Sequence, residues 1–140
     1  MSEKPAAVDA FLEAVRSGNW QAMEPHYHSE VTFKGTVPRW YFTVQGSEEV
    51  VQKMSDWFPL AAEVSDLHVM TTSEGAVVEF ERHWVRPPQE EAAQSEEVGV
   101  RQAHIFRLDE HGRIREQHGH CAGIWDAATF AEVARAQTLA

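Results

Sequence analysis

At Pro59 the hydrophobic period of the chain changes, and that change restricts the fold more than any other feature of the sequence. Before it, apolar side chains recur at helical spacing; beyond it they alternate, with glycines punctuating long extended runs. Val8, Phe11, Leu12 and Val15 fall at i, i+3, i+4 and i+7 and make one apolar stripe on an opening helix that Ser17-Gly18 ends. Asn19 is placed to cap a short second helix through Tyr27, kinked or shortened by Pro25, which has no N–H for an interior bond. A third helix begins at Gly46-Ser47, carries Glu48 and Glu49 at its positive end and stops at Pro59. Val50, Met54, Trp57 and Phe58 make its buried face.

Past Pro59 the alternation predicts strands over residues 63–72, 76–86, 98–109 and 113–122. Ser73-Glu74-Gly75 and Asp109-Glu110-His111-Gly112 are short, Gly-containing turns, so these strands are expected to form antiparallel hairpins. The acidic run from Pro87 to Glu97 reads as a solvated, mobile loop, with a lid over a pocket as the alternative. Asp126 is placed to cap a last helix that lays Phe130 and Val133 against the sheet. Helices gathered early and meander strands later predict an α+β fold: one curved antiparallel sheet wrapped around the N-terminal helices. A sheet curled around helices leaves a hollow, and aromatic walls admit a small apolar ligand.

With 140 residues, the chain is expected to be a single domain spanning 1–140. Twelve Lys and Arg against 22 Asp and Glu give a formal charge of −10, which disfavours nucleic acid and anionic lipid as partners. No run approaches the ~20 apolar residues of a membrane helix, and Met1-Ser2-Glu3-Lys4-Pro5 lacks the layout of a signal peptide, so a cytosolic protein is expected. The single cysteine, Cys121, excludes an internal disulfide; it reads as a small core hydrophobe.

Four local strings, in order, resemble the SnoaL-like branch of the nuclear transport factor 2-like superfamily, a cystatin-like α+β cone. Residues Phe11 to Asn19 resemble its first-helix ending, and Gly46-Ser47-Glu48-Glu49-Val50 its entry to helix three. Phe106 to Ile114 resemble its last hairpin, and Trp125-Asp126-Ala127-Ala128 its C-terminal closure. The resemblance implies a small-molecule enzyme of isomerase, polyketide cyclase or dehydratase type without cofactor, or a non-catalytic binder, and a homodimer through the outer sheet face. The chain departs from the ketosteroid isomerase pattern: Gly35 stands where that enzyme has its Asp base, Phe11 where it has a Tyr, and His104 where it has a second Asp. The Asp expected in cyclases and epoxide hydrolases falls near Gly119, or near Gly123 with a bulge.

Both faces of the 98–109 strand hold apolar groups, so alternation does not say which is inside; the resemblance makes His104 the leading acid/base candidate, since an imidazole desolvated in a partly apolar cavity is a neutral base near pH 7, and the alternative is a core histidine bonded to a neighbour. Alternation puts Val78, Phe80, Arg82 and Trp84 on one side of their strand and Glu79, Glu81 and His83 on the other. Facing inward, Arg82 would hold a carboxylate or enolate; a slip of one residue would present His83 instead, a pair with His104 similar to the histidines of scytalone-type dehydratases. Tyr27 matches a tyrosine that supports the polar network of related enzymes and is the third catalytic candidate. Phe11, Trp40, Phe42, Met54, Trp57, Phe106 and Gln117 are expected to bind an apolar substrate. His118 and His120 share a strand face with Glu116, but no third histidine is fixed nearby by spacing, so no metal site is expected and these residues go to the outer face.

Overall fold

The computed structural model describes residues 4–88 and 95–139. Helix α1 spans Ala6–Ser17 and buries Ala7, Val8, Phe11, Leu12, Ala14 and Val15 on its predicted face. Gly18, at φ 76°, ends it in the left-handed conformation, and its N–H bonds to the carbonyl of Ala14. The next segment, Trp20–His26, is a 3-10 helix, not an α-helix, and Asn19 makes no side-chain cap. Pro25 lies inside it, and the tighter winding suits a short piece that lacks that N–H. Tyr27 therefore does not close a helix: it opens strand β1, Tyr27–Val37. A two-residue turn, Pro38-Arg39 with Arg39 at φ 67°, connects it to β2, Trp40–Gln45.

Helix α2, Ser47–Trp57, buries Val50, Val51 and Met54. Phe58 caps its end and is partly buried, while Trp57 is 39% exposed. Strands β3 (Glu63–Thr71), β4 (Gly75–Arg86), β5 (Glu96–Leu108) and β6 (Ile114–Cys121) follow as an antiparallel meander, close to the predicted bounds. Both predicted turns carry side-chain bonds: Thr72 Oγ1 accepts from the Gly75 N–H at 2.9 Å, and Asp109 Oδ1 from those of His111 and Arg113 at 2.8 and 2.9 Å. Of the acidic run, residues 89–94 lie outside the described residues; Glu96 and Glu97 already belong to β5, where Glu96 pairs with Arg86 at 2.7 Å. The short strand β7, Trp125–Asp126, pairs with β5 and leads into α3, Ala127–Leu139. Asp126 caps α3, accepting from the Thr129 N–H at 2.7 Å. Phe130 packs on Trp125 and His83, whereas Val133, expected against the sheet, is 38% exposed.

The sheet runs β2-β1-β6-β5-β4-β3. Every ladder is antiparallel except β1 with β6, which is parallel, so the sheet is mixed where an antiparallel one is predicted. Register shifts in β1, β3 and β5 mark bulges, and bulges bend strands. The curved sheet closes on α1 and α2: Phe11 packs at 5.8 Å from Trp20, 6.1 Å from Phe80 and 5.1 Å from Phe106. The result is an α+β cone. Among the described residues no helix is long and apolar enough to cross a membrane.

Candidate functional site in the cone

Alternation along β5 turns Val100, Gln102, His104 and Phe106 inward, and the β5–β6 register sets His104 beside Gly119 and Phe106 beside Gln117. His104 is 3% exposed and both ring nitrogens are engaged. The Tyr27 hydroxyl donates to Gln117 Oε1 at 2.7 Å, the Gln117 amide donates to His104 Nδ1 at 3.1 Å, and His104 Nε2–H donates to Gln102 Oε1 at 3.2 Å. That sequence of bonds fixes the neutral ring as the Nε2–H tautomer. Phe11 lies 4.7 Å from the imidazole, and the Phe80 and Phe106 rings lie nearly parallel to it at 5.9 and 6.0 Å. Burial, with repulsion from Arg82, His120 and His118, lowers the His104 pKa from 6.5 to about 3. Burial likewise raises the Tyr27 phenol above its ordinary 10, outweighing the opposing bond to Gln117.

Arg82 faces the interior of the cone and is 1% exposed; His83 faces the other way and packs on Phe130 at 5.1 Å. The dehydratase-like pairing of His83 with His104 therefore does not form. The Arg82 guanidinium lies over Phe58 at 4.1 Å, with Trp20 at 5.7 Å and Phe80 at 5.8 Å. Nε and Nη2 are buried with no hydrogen-bond acceptor among the described residues. Burial pushes the pKa down from 12.5 to about 9, opposed by the nearby Cys121, so the group remains a cation at neutral pH.

Between these elements lies a narrow internal cavity of about 20 Å³, lined by Phe33, Phe42, Met54, Trp57, Phe58, Gln102, His104 and Cys121, with Lys53 over Phe42 and Trp57 at 4.5 and 4.7 Å. The hollow is therefore real but nearly filled. Of the expected binding residues, Phe42, Met54 and Trp57 line it. Phe11, Phe106 and Gln117 stand one layer behind, against His104. Trp40 does not reach it: although it shares the parity of Phe42, it sits at the hairpin turn and is 68% exposed. A wider surface groove of about 630 Å³ between β4 and α3 holds none of the predicted catalytic residues. The outer face of β6 carries His118 and His120, with ring centroids 4.2 Å apart and His118 Nε2 3.3 Å from Thr36 Oγ1. Among the described residues, no three His, Cys, Asp or Glu side chains converge in a group able to hold a metal ion.

The two glycines that replace expected carboxylates have steric causes. A Cβ at Gly35 would collide with the Phe42 ring, and one at Gly119 would stand 2.8 Å from His104 Cε1. Sequence reasoning missed Gln102 and Lys53. Once the resemblance puts His104 inside, strand parity puts Gln102, two residues earlier, on the same face, whereas nothing in the local pattern marks Lys53.

A helix-filled, curved, mixed sheet with an aromatic interior is the cone fold of nuclear transport factor 2-like and cystatin-like proteins. The chain belongs to the SnoaL-like domain family, whose pattern matches residues 8–117. It is similar to a protein from Shewanella denitrificans OS-217 described provisionally as a SnoaL-like polyketide cyclase, at 13% identity and TM-score 0.65 over 82% of this chain and 87% of that one. A protein from Pseudomonas putida KT2440, provisionally a polyketide cyclase, gives 17% identity and TM-score 0.65 over 84% and 91%. A nuclear transport factor 2-like protein of unknown function from Burkholderia xenovorans LB400 gives 13% and 0.60 over 86% and 84%. These likenesses establish the fold. Comparison with curated protein sequences gives no match.

Proposed function

We propose that the protein is a cofactor-independent enzyme of the cyclase, isomerase or dehydratase type, acting on a carbonyl-containing, polyketide-like substrate in the cone. One observation carries the reading: the chain of bonds from Tyr27 through Gln117 ends on an imidazole that lines the internal cavity. A substrate oxygen that takes the place of Gln102 receives the Nε2–H of His104. As negative charge develops on that oxygen, the Nε2–H hydrogen bond to it strengthens without proton transfer; Tyr27 and Gln117 hold the tautomer, and the nearby Arg82 charge stabilises the enolate-like oxygen. A ring whose pKa is lowered to about 3 is neutral at pH 7 and offers its Nε2–H as a hydrogen-bond donor. This favours ring closures in which a C–H between two carbonyls is acidic enough to lose its proton to water, the resulting carbanion adds to a second carbonyl, and the new alkoxide regains a proton from water while His104 holds it by a hydrogen bond.

The test is His104→Ala against a panel of small ketones, alcohols and β-dicarbonyl compounds. We expect turnover to fall by more than ~10²-fold, and a loss below threefold would end the role of His104. A second reading, a non-catalytic ligand-binding module, is favoured by a cavity lining that contains no Asp or Glu. Saturable thermal stabilisation by ligands without conversion of any of them would select it. We also infer a cytosolic protein and, from the family resemblance, a homodimer joined through the outer sheet face, where Met70 and Ile105 are exposed. A monomer mass by light scattering at micromolar concentration would remove the dimer.

A further inference from the structure

The molecule carries a formal charge of −10, yet its internal cavity has no carboxylate among its lining residues and a lysine, Lys53, among them. Behind that lining lies a second cation, Arg82, with two buried N–H groups that nothing among the described residues accepts. Its place is tied to the cavity through Phe58, which packs on the guanidinium at 4.1 Å and is itself a wall of the cavity. Cys121, another wall residue, is near enough to act on the guanidinium electrostatically. Burying an unpaired cation is among the most costly arrangements a protein keeps, and an anion able to accept two parallel N–H bonds relieves the cost most fully. The remaining walls are flat and apolar: Phe42, Met54, Trp57 and Phe58.

We propose that the ligand of this cavity is an organic anion, a flat apolar body bearing one carboxylate that pairs with Arg82 while its body lies against Phe42, Trp57 and Phe58. The inference rests on the reading of the cone as a small-molecule site and adds the charge of the molecule it takes. A carboxylate present from the moment of binding differs from an oxyanion that develops only during reaction, because it acts on affinity in the ground state. Phe58 would swing off the guanidinium, and Trp57, already 39% exposed, would turn outward to make room in a cavity of about 20 Å³.

The test uses matched probes on the full chain: benzoate, phenylacetate and 2-naphthoate, each beside the neutral carboxamide of the same skeleton, by calorimetry and thermal shift. We expect at least one acid to bind tenfold or more tighter than its amide. The preference should survive a rise in salt from 50 to 500 mM, since a buried pair is little screened, and it should persist in part in Arg82→Lys and vanish in Arg82→Gln. The wild-type acid-to-amide comparison needs no variant, so it decides the charge of the ligand even if Arg82→Gln fails to fold, and Lys53→Gln, which should keep the preference, separates the lining lysine from Arg82. Amides bound as well as acids would overturn the anion assignment and leave the small-molecule site standing. Absence of binding by either series up to millimolar concentration would overturn both.

Discussion

Replacing Arg82 by Met should make the protein more stable. The guanidinium pKa, lowered from 12.5 to about 9, means that burial disfavours the charged form by about 5 kcal/mol, at ~1.4 kcal/mol for each tenfold change in the protonation equilibrium. Against this stand the contacts with Phe58 at 4.1 Å and, more weakly, Trp20 and Phe80, together worth about 2 kcal/mol. Met is shorter and leaves a small void that costs on the order of 1 kcal/mol. The balance is a gain of about 1 to 3 kcal/mol, in line with other buried charges replaced by apolar side chains. In a domain of this size that is a rise in Tm of about 3 to 9 °C. Urea unfolding at pH 7 reads it directly. The pH dependence supplies an independent check: between pH 9 and 12.5 the unfolded chain holds more protons at this position than the folded one, so wild-type stability rises there and the advantage of the variant shrinks. The gap should be flat from pH 7 to about 8.5 and narrow by roughly 1 kcal/mol by pH 10. A variant that is less stable than wild type at pH 7, or a gap that does not move between pH 8 and 10, would refute the claim that the guanidinium is buried without a partner.

The same reasoning gives two further outcomes. His104 has a folded pKa of about 3 against 6.5 in an exposed ring, so its contribution is complete above pH 6.5 and is lost as pH falls toward 3, with a slope of up to ~1.4 kcal/mol per pH unit. In His104→Gln that part of the acid slope should disappear from urea titrations between pH 4.5 and 7; equal slopes would mean that the ring is solvated. Tyr27→Phe removes the only described donor to Gln117 Oε1 and should cost about 1 to 3 kcal/mol by the same assay.

The helices before Pro59 and the four long strands after it were legible because each buries one face, and a buried face writes its period into the sequence. Strand β1 was not legible: its first residues, Tyr27-His28-Ser29-Glu30, do not alternate in polarity, and its parallel partner β6 lies far along the chain. Strand parity with Phe80 and Trp84 favoured an inward Arg82, while both faces of the His104 strand carry apolar groups and only the family resemblance put His104 inside; that much was legible. What surrounds them was not, because Gln117 reaches His104 only through the β5–β6 register, and Phe58 reaches Arg82 from the end of a helix.

The two glycines show most directly how such long-range facts bear on chemistry. Read alone, Gly119 is a missing catalytic carboxylate. In the fold, the space that a side chain at 119 would need holds the imidazole of His104, just as Phe42 holds the space above Gly35. A carboxylate at 119 and this imidazole placement at 104 are therefore alternatives, and restoring the acid at Gly119 alone would displace His104 from Gln117 before it could supply a base. The cone thus holds, in place of a carboxylate, a neutral imidazole fixed by two amides within an aromatic shell, with a buried cation beside it.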